Sequence, residues 1–177
     1  MPLDMGFDLA IVLDDIYMLD EFLHMNAPSA ERMETSLSIT CPEKKMEADR
    51  DSRKLRLHAV IGVRFMLFNG LVSDAPSPSD EERAVLSYGC ALQATVSSGA
   101  MSDSIPLGKH ATWSGDEAEA LRDGRMERSM LLEAIRACYA VASSRMLQSR
   151  GITPLGPVHM PLVDYGALLE QIEGSEK

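Results

Sequence analysis

Residues 125–148 carry Met126, Met130, Leu131, Ala134, Ile135, Cys138, Val141, Ala142 and Met146, spaced largely by threes and fours. That spacing puts all of them on one broad stripe of a long helix, and a stripe so apolar has to be buried. The pattern stops at Ser149-Arg150-Gly151-Ile152-Thr153-Pro154. Gly151 can adopt the left-handed conformation that ends a helix, and Pro154 prevents its resumption. A proline-punctuated loop follows, and then a short amphipathic segment over residues 161–169. Tethered by residues 152–160, that segment can lie over a neighbouring surface as a lid. As a plain terminal helix it would seal the core instead.

The surface that such a helix covers is supplied upstream. Over residues 54–68, Leu55, Leu57, Ala59, Ile61, Val63, Phe65 and Leu67 alternate with a row that includes Lys54, Arg56, His58 and Arg64. A period of two with one apolar row is a long antiparallel strand with one buried face. Residues 8–18 read as an extended segment, and residues 18–25 continue it as an unusually apolar connection, broken by turn chemistry at Asn26-Ala27-Pro28-Ser29. Residues 34–40 alternate with Leu37 and Ile39 on one face, and 43–52 read as a charged turn region. The acidic, proline-containing stretch 73–82 reads as a hairpin connection into a fourth strand over 83–97. A polar stretch follows, and the acids at Asp116 and Glu117 open the helical region. The expected architecture is α+β, one domain over 1–177. A four-stranded antiparallel sheet within about 8–97 is followed by a long helix and a short C-terminal helix within about 115–172.

Composition excludes several functions. The chain has 177 residues, 27 acidic against 17 basic, and a net charge of −10. Phosphate binding needs a basic field, so nucleic acid is not an expected partner, whereas basic partners are favoured. Cys41, Cys90 and Cys138 lie far apart without CxxC spacing, which suits reduced thiols and a cytoplasmic protein rather than a disulfide framework. The first ten residues hold two aspartates and no basic residue, so no secretory leader is expected. No apolar run is long enough to span a membrane.

Catalytic signatures are missing. His24, His58, His110 and His159 fall in different elements, and no pair has metal-ligand spacing. Cys138 lies on the apolar helix stripe and Cys90 inside a strand, where buried thiols are inert. The serine-glycine steps at Ser87-Tyr88-Gly89 and Ser97-Ser98-Gly99 lack the nucleophile elbow, and no glycine-rich phosphate loop occurs. Neither metal, nucleotide nor other cofactor is expected. The positive signal is apolar. Met18, Leu19, Phe22, Leu23 and Met25 crowd a segment that reads as a connection, and connections normally avoid such residues. The chain also has 12 methionines, whose flexible side chains suit adaptable apolar surfaces or fill a core. The same segment can equally continue a strand or dock an oligomer partner.

Several local motifs point one way. The helix stop is Ser149-Arg150-Gly151-Ile152-Thr153-Pro154, residues 161–169 begin Pro161-Leu162-Val163-Asp164-Tyr165, Tyr139-Ala140 sits mid-helix, and Asp15-Ile16 precedes Ala27-Pro28. In these residues and in element order the chain resembles the SecB-like protein-export chaperones. The helix 125–148 lacks the phenylalanine, proline and arginine of the family's mid-helix motif, and the tail 170–177 is short and mildly acidic. The resemblance is to a divergent member.

The resemblance implies an ATP-independent chaperone rather than an enzyme, with unfolded polypeptides as clients, preproteins or a specialised client such as an antitoxin. It implies a client groove formed by Met18, Leu19, Phe22, Leu23 and Met25 together with Val163, Tyr165, Leu168 and Leu169 of the lid. It also implies docking to the translocation ATPase through acidic residues of the sheet such as Asp15, and a homo-oligomer built as a dimer of dimers. Two other classes fit the residues: an oligomeric scaffold without chaperone activity, and a small enzyme using His110 or His159.

Overall fold

The computed structural model describes residues 11–25, 33–49, 53–69, 84–99, 124–148 and 158–175. The turn at 26–29, the connection 73–82, His110, the helix entry at 116–117 and the stop at 149–154 lie outside the described residues. Four strands, β1 (Val12–Met25), β2 (Met33–Asp49), β3 (Lys54–Asn69) and β4 (Ala84–Ser97), precede two helices, α1 (Arg125–Gln148) and α2 (Tyr165–Ser175). The strands form one antiparallel sheet in the order β1-β4-β3-β2. This is the expected α+β arrangement, with both helices on one face of the sheet.

The alternation in β3 explains why the sheet has a single covered face. Leu57, Ala59, Ile61, Val63 and Phe65 are all buried beneath α1, beside Leu86, Leu92, Ala94 and Val96 of β4. The stripe of α1 meets them with Met130, Leu131, Ala134, Ile135, Cys138 and Ala142, each essentially sealed from solvent. One row of strand residues and one stripe of helix residues therefore make the core. Gly124 opens the helix at a φ of 77°, and its carbonyl accepts the Arg128 amide at 3.0 Å.

Two sequence expectations need correction. Residues 18–25 are not a connection: β1 runs unbroken to Met25, paired with β4 as far as Leu86. The charged stretch 43–52 is mostly strand, because β2 continues to Asp49 along the whole length of β3. A long central strand offers hydrogen-bond partners all along its edge, and an edge strand tolerates charge on its solvent side. A register shift between Thr40 and Glu43, at Cys41-Pro42, accommodates the proline.

α2 packs against α1 and β2. Asp164 caps it: Oδ1 accepts the amides of Gly166 at 3.0 Å and Ala167 at 3.2 Å, and the carbonyl accepts Leu168 at 3.1 Å. Tyr165 stands edge-on to Tyr139 with centroids 6.2 Å apart, and the Arg136 guanidinium lies 5.5 Å from its ring. The Tyr139 hydroxyl donates to the Pro161 carbonyl, and Arg128 pairs with Glu173 at 3.4 Å. Leu169 and Ile172 enter the main core. The inner face of α2 is therefore core, which corrects the expectation of Leu169 as a groove residue. A helix of 11 residues has to bury one face to be stable at all.

Ile135→Ala should cost about 2–5 kcal/mol, as for a fully buried aliphatic side chain, and Leu169→Ala, also buried, at least about 2 kcal/mol. Denaturant melts of the two variants check both values. A loss well under about 1 kcal/mol for Leu169→Ala would make α2 a loosely held lid.

Candidate polypeptide-binding surface

β1 has β4 on one side and no neighbouring strand on the other among the described residues. Its register slips twice, between Leu13 and Asp15 and between Met18 and Asp20, so Asp14 and Leu19 are extra residues facing no partner. Each slip re-phases the side chains. Leu13, Ile16, Met18, Glu21, Leu23 and Met25 stand opposite the core row of β4, from Val96 to Leu86. Val12, Asp15, Tyr17, Asp20, Phe22 and His24 stand opposite the other row, on the sheet face away from the helices. Without the slips, a period of two would put Asp14 in the same row as Ile16 and Met18.

The outcome is an edge strand with its apolar side chains in water. Of seven large apolar side chains exposed among the described residues, six lie on β1: Val12, Leu13, Tyr17, Met18, Leu19 and Phe22. Tyr17 is 57% exposed and Leu19 53%. β1 has no lysine or proline; its edge devices are the carboxylates Asp14, Asp15, Asp20 and Glu21 and its two bulges. β2, the opposite edge, carries both, with Pro42, Lys44 and Lys45.

Polar contacts hold β1 in place. Near its start the Ser97 hydroxyl donates to the Asp14 carboxylate, and Arg56 Nε lies 3.9 Å from the same oxygen. Near its end the Glu21 carboxylate accepts from Arg145 Nε at 3.0 Å, from the second guanidinium nitrogen at 2.5 Å and from the Tyr88 hydroxyl at 3.0 Å. The bond from Arg145 holds the Glu21 carboxyl below its ordinary value, and burial pushes the Tyr88 hydroxyl well above its own. The hydrogen bond with Asp15 likewise raises Tyr17. On the open face the Phe22 ring lies across Gly89, where an added Cβ would sit 2.2 Å from the ring. Beside it a depression of about 600 Å³ runs over Gly62 and Ala91 to Ser38, Thr40 and Arg64.

The sequence-derived groove is not assembled in the chain. Met18, Leu19 and Phe22 are exposed on β1, while Leu23 and Met25 are half-buried against the core rim. Asp15 is exposed, its carboxylate accepting the Ile16 amide at 2.8 Å. Val163, Tyr165 and Leu168 are half-buried at α2, which packs on α1 and β2. β1 and β2 are opposite edges of the sheet, so the two sets flank opposite sides of α1. Sequence reasoning missed Val12, Leu13 and Tyr17, which belong to the same apolar run, and Leu162, which is wholly exposed. It also missed Glu21 and Arg145, 124 residues apart, for which no local signal exists.

Burial pushes the Cys138 thiol up to about 12, and raises Cys90 as well. His58 is engaged by Thr95 at 3.2 Å and Glu47 at 3.4 Å on the sheet surface. Among the described residues no group of three potential ligands is placed to hold a metal ion, and no helix is long and apolar enough to cross a membrane.

No family model matches the chain, and no curated relative does. Solved structures similar to it include a SecB-like chaperone of Mycobacterium tuberculosis, in complex with a peptide from the HigA1 antitoxin. That match has 14% identity and a TM-score of 0.45, over 87% of this chain and 90% of the other. Another is a protein of unknown function from Streptococcus agalactiae, with 8% identity and a TM-score of 0.38, over 87% of this chain and 98% of the other.

Glu21 is ionised more readily in the folded than in the unfolded chain, so its contribution is present above the unfolded value and fades as pH falls through the lower folded one. A carboxyl-carbon titration should therefore place the Glu21 midpoint below 4.5, its ordinary value. A midpoint at or above that value would show the contact with Arg145 to be absent in solution.

Proposed function

We propose that the protein is a nucleotide-independent chaperone that holds unfolded polypeptides along β1. One observation carries this reading: six of the seven large exposed apolar side chains among the described residues lie on a single edge strand. An extended client laid beside β1 gains main-chain hydrogen bonds from the strand and apolar contact from Tyr17, Met18, Leu19 and Phe22. Area buried at about 25 cal/mol per Å² gives affinity without demanding a sequence, and methionine adapts to varied side chains. Binding the unfolded state withdraws it from aggregation by mass action, with no chemical step and no cofactor. Val163, Tyr165 and Leu168, beside the exposed Leu162, offer a smaller separate contact strip on the helix layer. In this reading the protein works in the cytoplasm on preproteins or on an antitoxin, and the exposed Asp15 is available to a basic partner such as a translocation ATPase.

The same edge supports a second reading. An open apolar strand also pairs with its own copy, and a homo-oligomer, a dimer or a dimer of dimers, would cover β1 from within. In that case the protein is an oligomeric scaffold.

Phe22 and Leu23 separate the possibilities because they occupy opposite rows. Phe22→Ala and Leu19→Ser should each cost less than about 1 kcal/mol of stability, whereas Leu23→Ala, at the core rim, should cost more. Phe22→Ala and Leu19→Ser should suppress aggregation of a reduced, unfolded test protein about tenfold less effectively at unchanged oligomeric mass, a loss equivalent to about 1.4 kcal/mol. A fall in mass by light scattering, with suppression lost alongside, would favour the scaffold reading.

Suppression by the unaltered protein should be indifferent to a chelator and to ATP. Dependence on either would overturn the nucleotide- and metal-independent mechanism.

A further inference from the structure

β1 is fastened in an unusual way for a strand. Its middle, Tyr17 to Leu19, is exposed, and only Ile16, Leu23 and Met25 rest on the core from their partly buried positions. Its second half is tied to the helix layer by Leu23 and Met25 at the core and by one polar contact. Glu21 stands in the row opposite Cys90, where an apolar residue would be the ordinary choice, and it reaches Arg145 near the end of α1. Both guanidinium contacts are made, at 3.0 and 2.5 Å, and Tyr88 beneath donates a third hydrogen bond at 3.0 Å. A bidentate, charge-assisted contact is strong and geometrically specific. It is also reachable by solvent and salt, since the Glu21 side chain is 25% exposed and Arg145 50%. The contact closes just after the second register slip, so it fastens the part of β1 that carries Phe22, Leu23 and Met25.

We infer that Glu21, Arg145 and Tyr88 form a salt-sensitive latch that keeps the second half of β1 shut against α1. Opening the latch uncovers Leu23, Met25 and Tyr88, apolar surface on the same side of β1 as Met18. The latch therefore sets how much apolar surface the protein offers, which deepens the reading of β1 as the capture surface and rests on it for its biological meaning. Residues 20–25 also pair with β4 from Ala91 to Leu86, so this half of β1 is held by that ladder, by the half-buried Leu23 and Met25 and by the latch, and loss of the latch lowers the cost of local opening.

Hydrogen exchange and fluorescent apolar-dye binding on the full chain test the latch directly. In Glu21→Gln the amides of residues 20–25 should exchange about tenfold faster, with β3 and the middle of α1 unchanged, and dye binding should rise. Raising sodium chloride to about 1 M, where screening is nearly complete, should move the unaltered protein the same way. The charge swap, Glu21→Arg with Arg145→Glu, should restore slow exchange and low dye binding. Faster exchange spread over β3 and α1 would overturn the latch in favour of a general stability contact. Unchanged exchange in residues 20–25, or failure of the swap to restore it, would overturn it as well. If the latch behaves as described but neither the unaltered protein nor Glu21→Gln suppresses aggregation of an unfolded protein, the latch stands and the chaperone reading fails.

Discussion

The structure depends on one contact between two patterns: the apolar row of β3 and β4 against the stripe of α1. Ile61, Phe65 and Leu92 below meet Met130, Ala134, Ile135 and Cys138 above, and every one of them is shielded from water. Everything else is arranged around that contact. β3 lies between β2 and β4, which pair along nearly its whole length. α2 adds Leu169 and Ile172 to the core, with its Asp164 cap and the edge-to-face pair of Tyr139 and Tyr165 at its start.

This arrangement leaves the open sheet face and β1 outside the covered volume. The two edges of the sheet then diverge physically. Both carry charge and register breaks, but among the described residues no large apolar side chain of β2 is exposed. β1 is held by carboxylates, Asp14 at one end and Glu21 at the other, and between them it presents apolar side chains to water. Water-exposed apolar groups gain nothing for the isolated chain. They acquire a favourable free energy only when something covers them, and that is the physical content of a capture or assembly surface.

The polar anchors and the apolar exposure are linked. A strand stabilised by burying its own large side chains could not also present them. Ser97 and Arg56 at Asp14, and Arg145 and Tyr88 at Glu21, replace that burial with hydrogen bonds and leave Tyr17, Met18, Leu19 and Phe22 unspent. The glycine at position 89 serves the same end, since its missing side chain gives the Phe22 ring a flat seat on the sheet.

The sequence by itself determined the elements whose signals are local. The period of two in residues 54–68 and the three-and-four spacing in 125–148 each follow from one element burying one face, so the strand, the helix and their mutual core were legible. The apolar crowding at Met18, Leu19 and Phe22 was legible too, and so was its oddity. Tertiary structure decided where that crowding lies. The strand order β1-β4-β3-β2 makes β1 an edge and puts α2 at the other one, so residues 18–25 and 161–169 do not share a groove. No periodicity encodes strand order, because every strand of such a sheet shows the same alternation whether it is central or peripheral. The partnership of Glu21 with Arg145 was equally out of reach, since a contact across 124 residues exists only once the helix lies on the sheet. The extent of β2 was decided the same way: its charged second half reads as a turn in isolation and becomes a strand because β3 offers it a full row of hydrogen-bond partners.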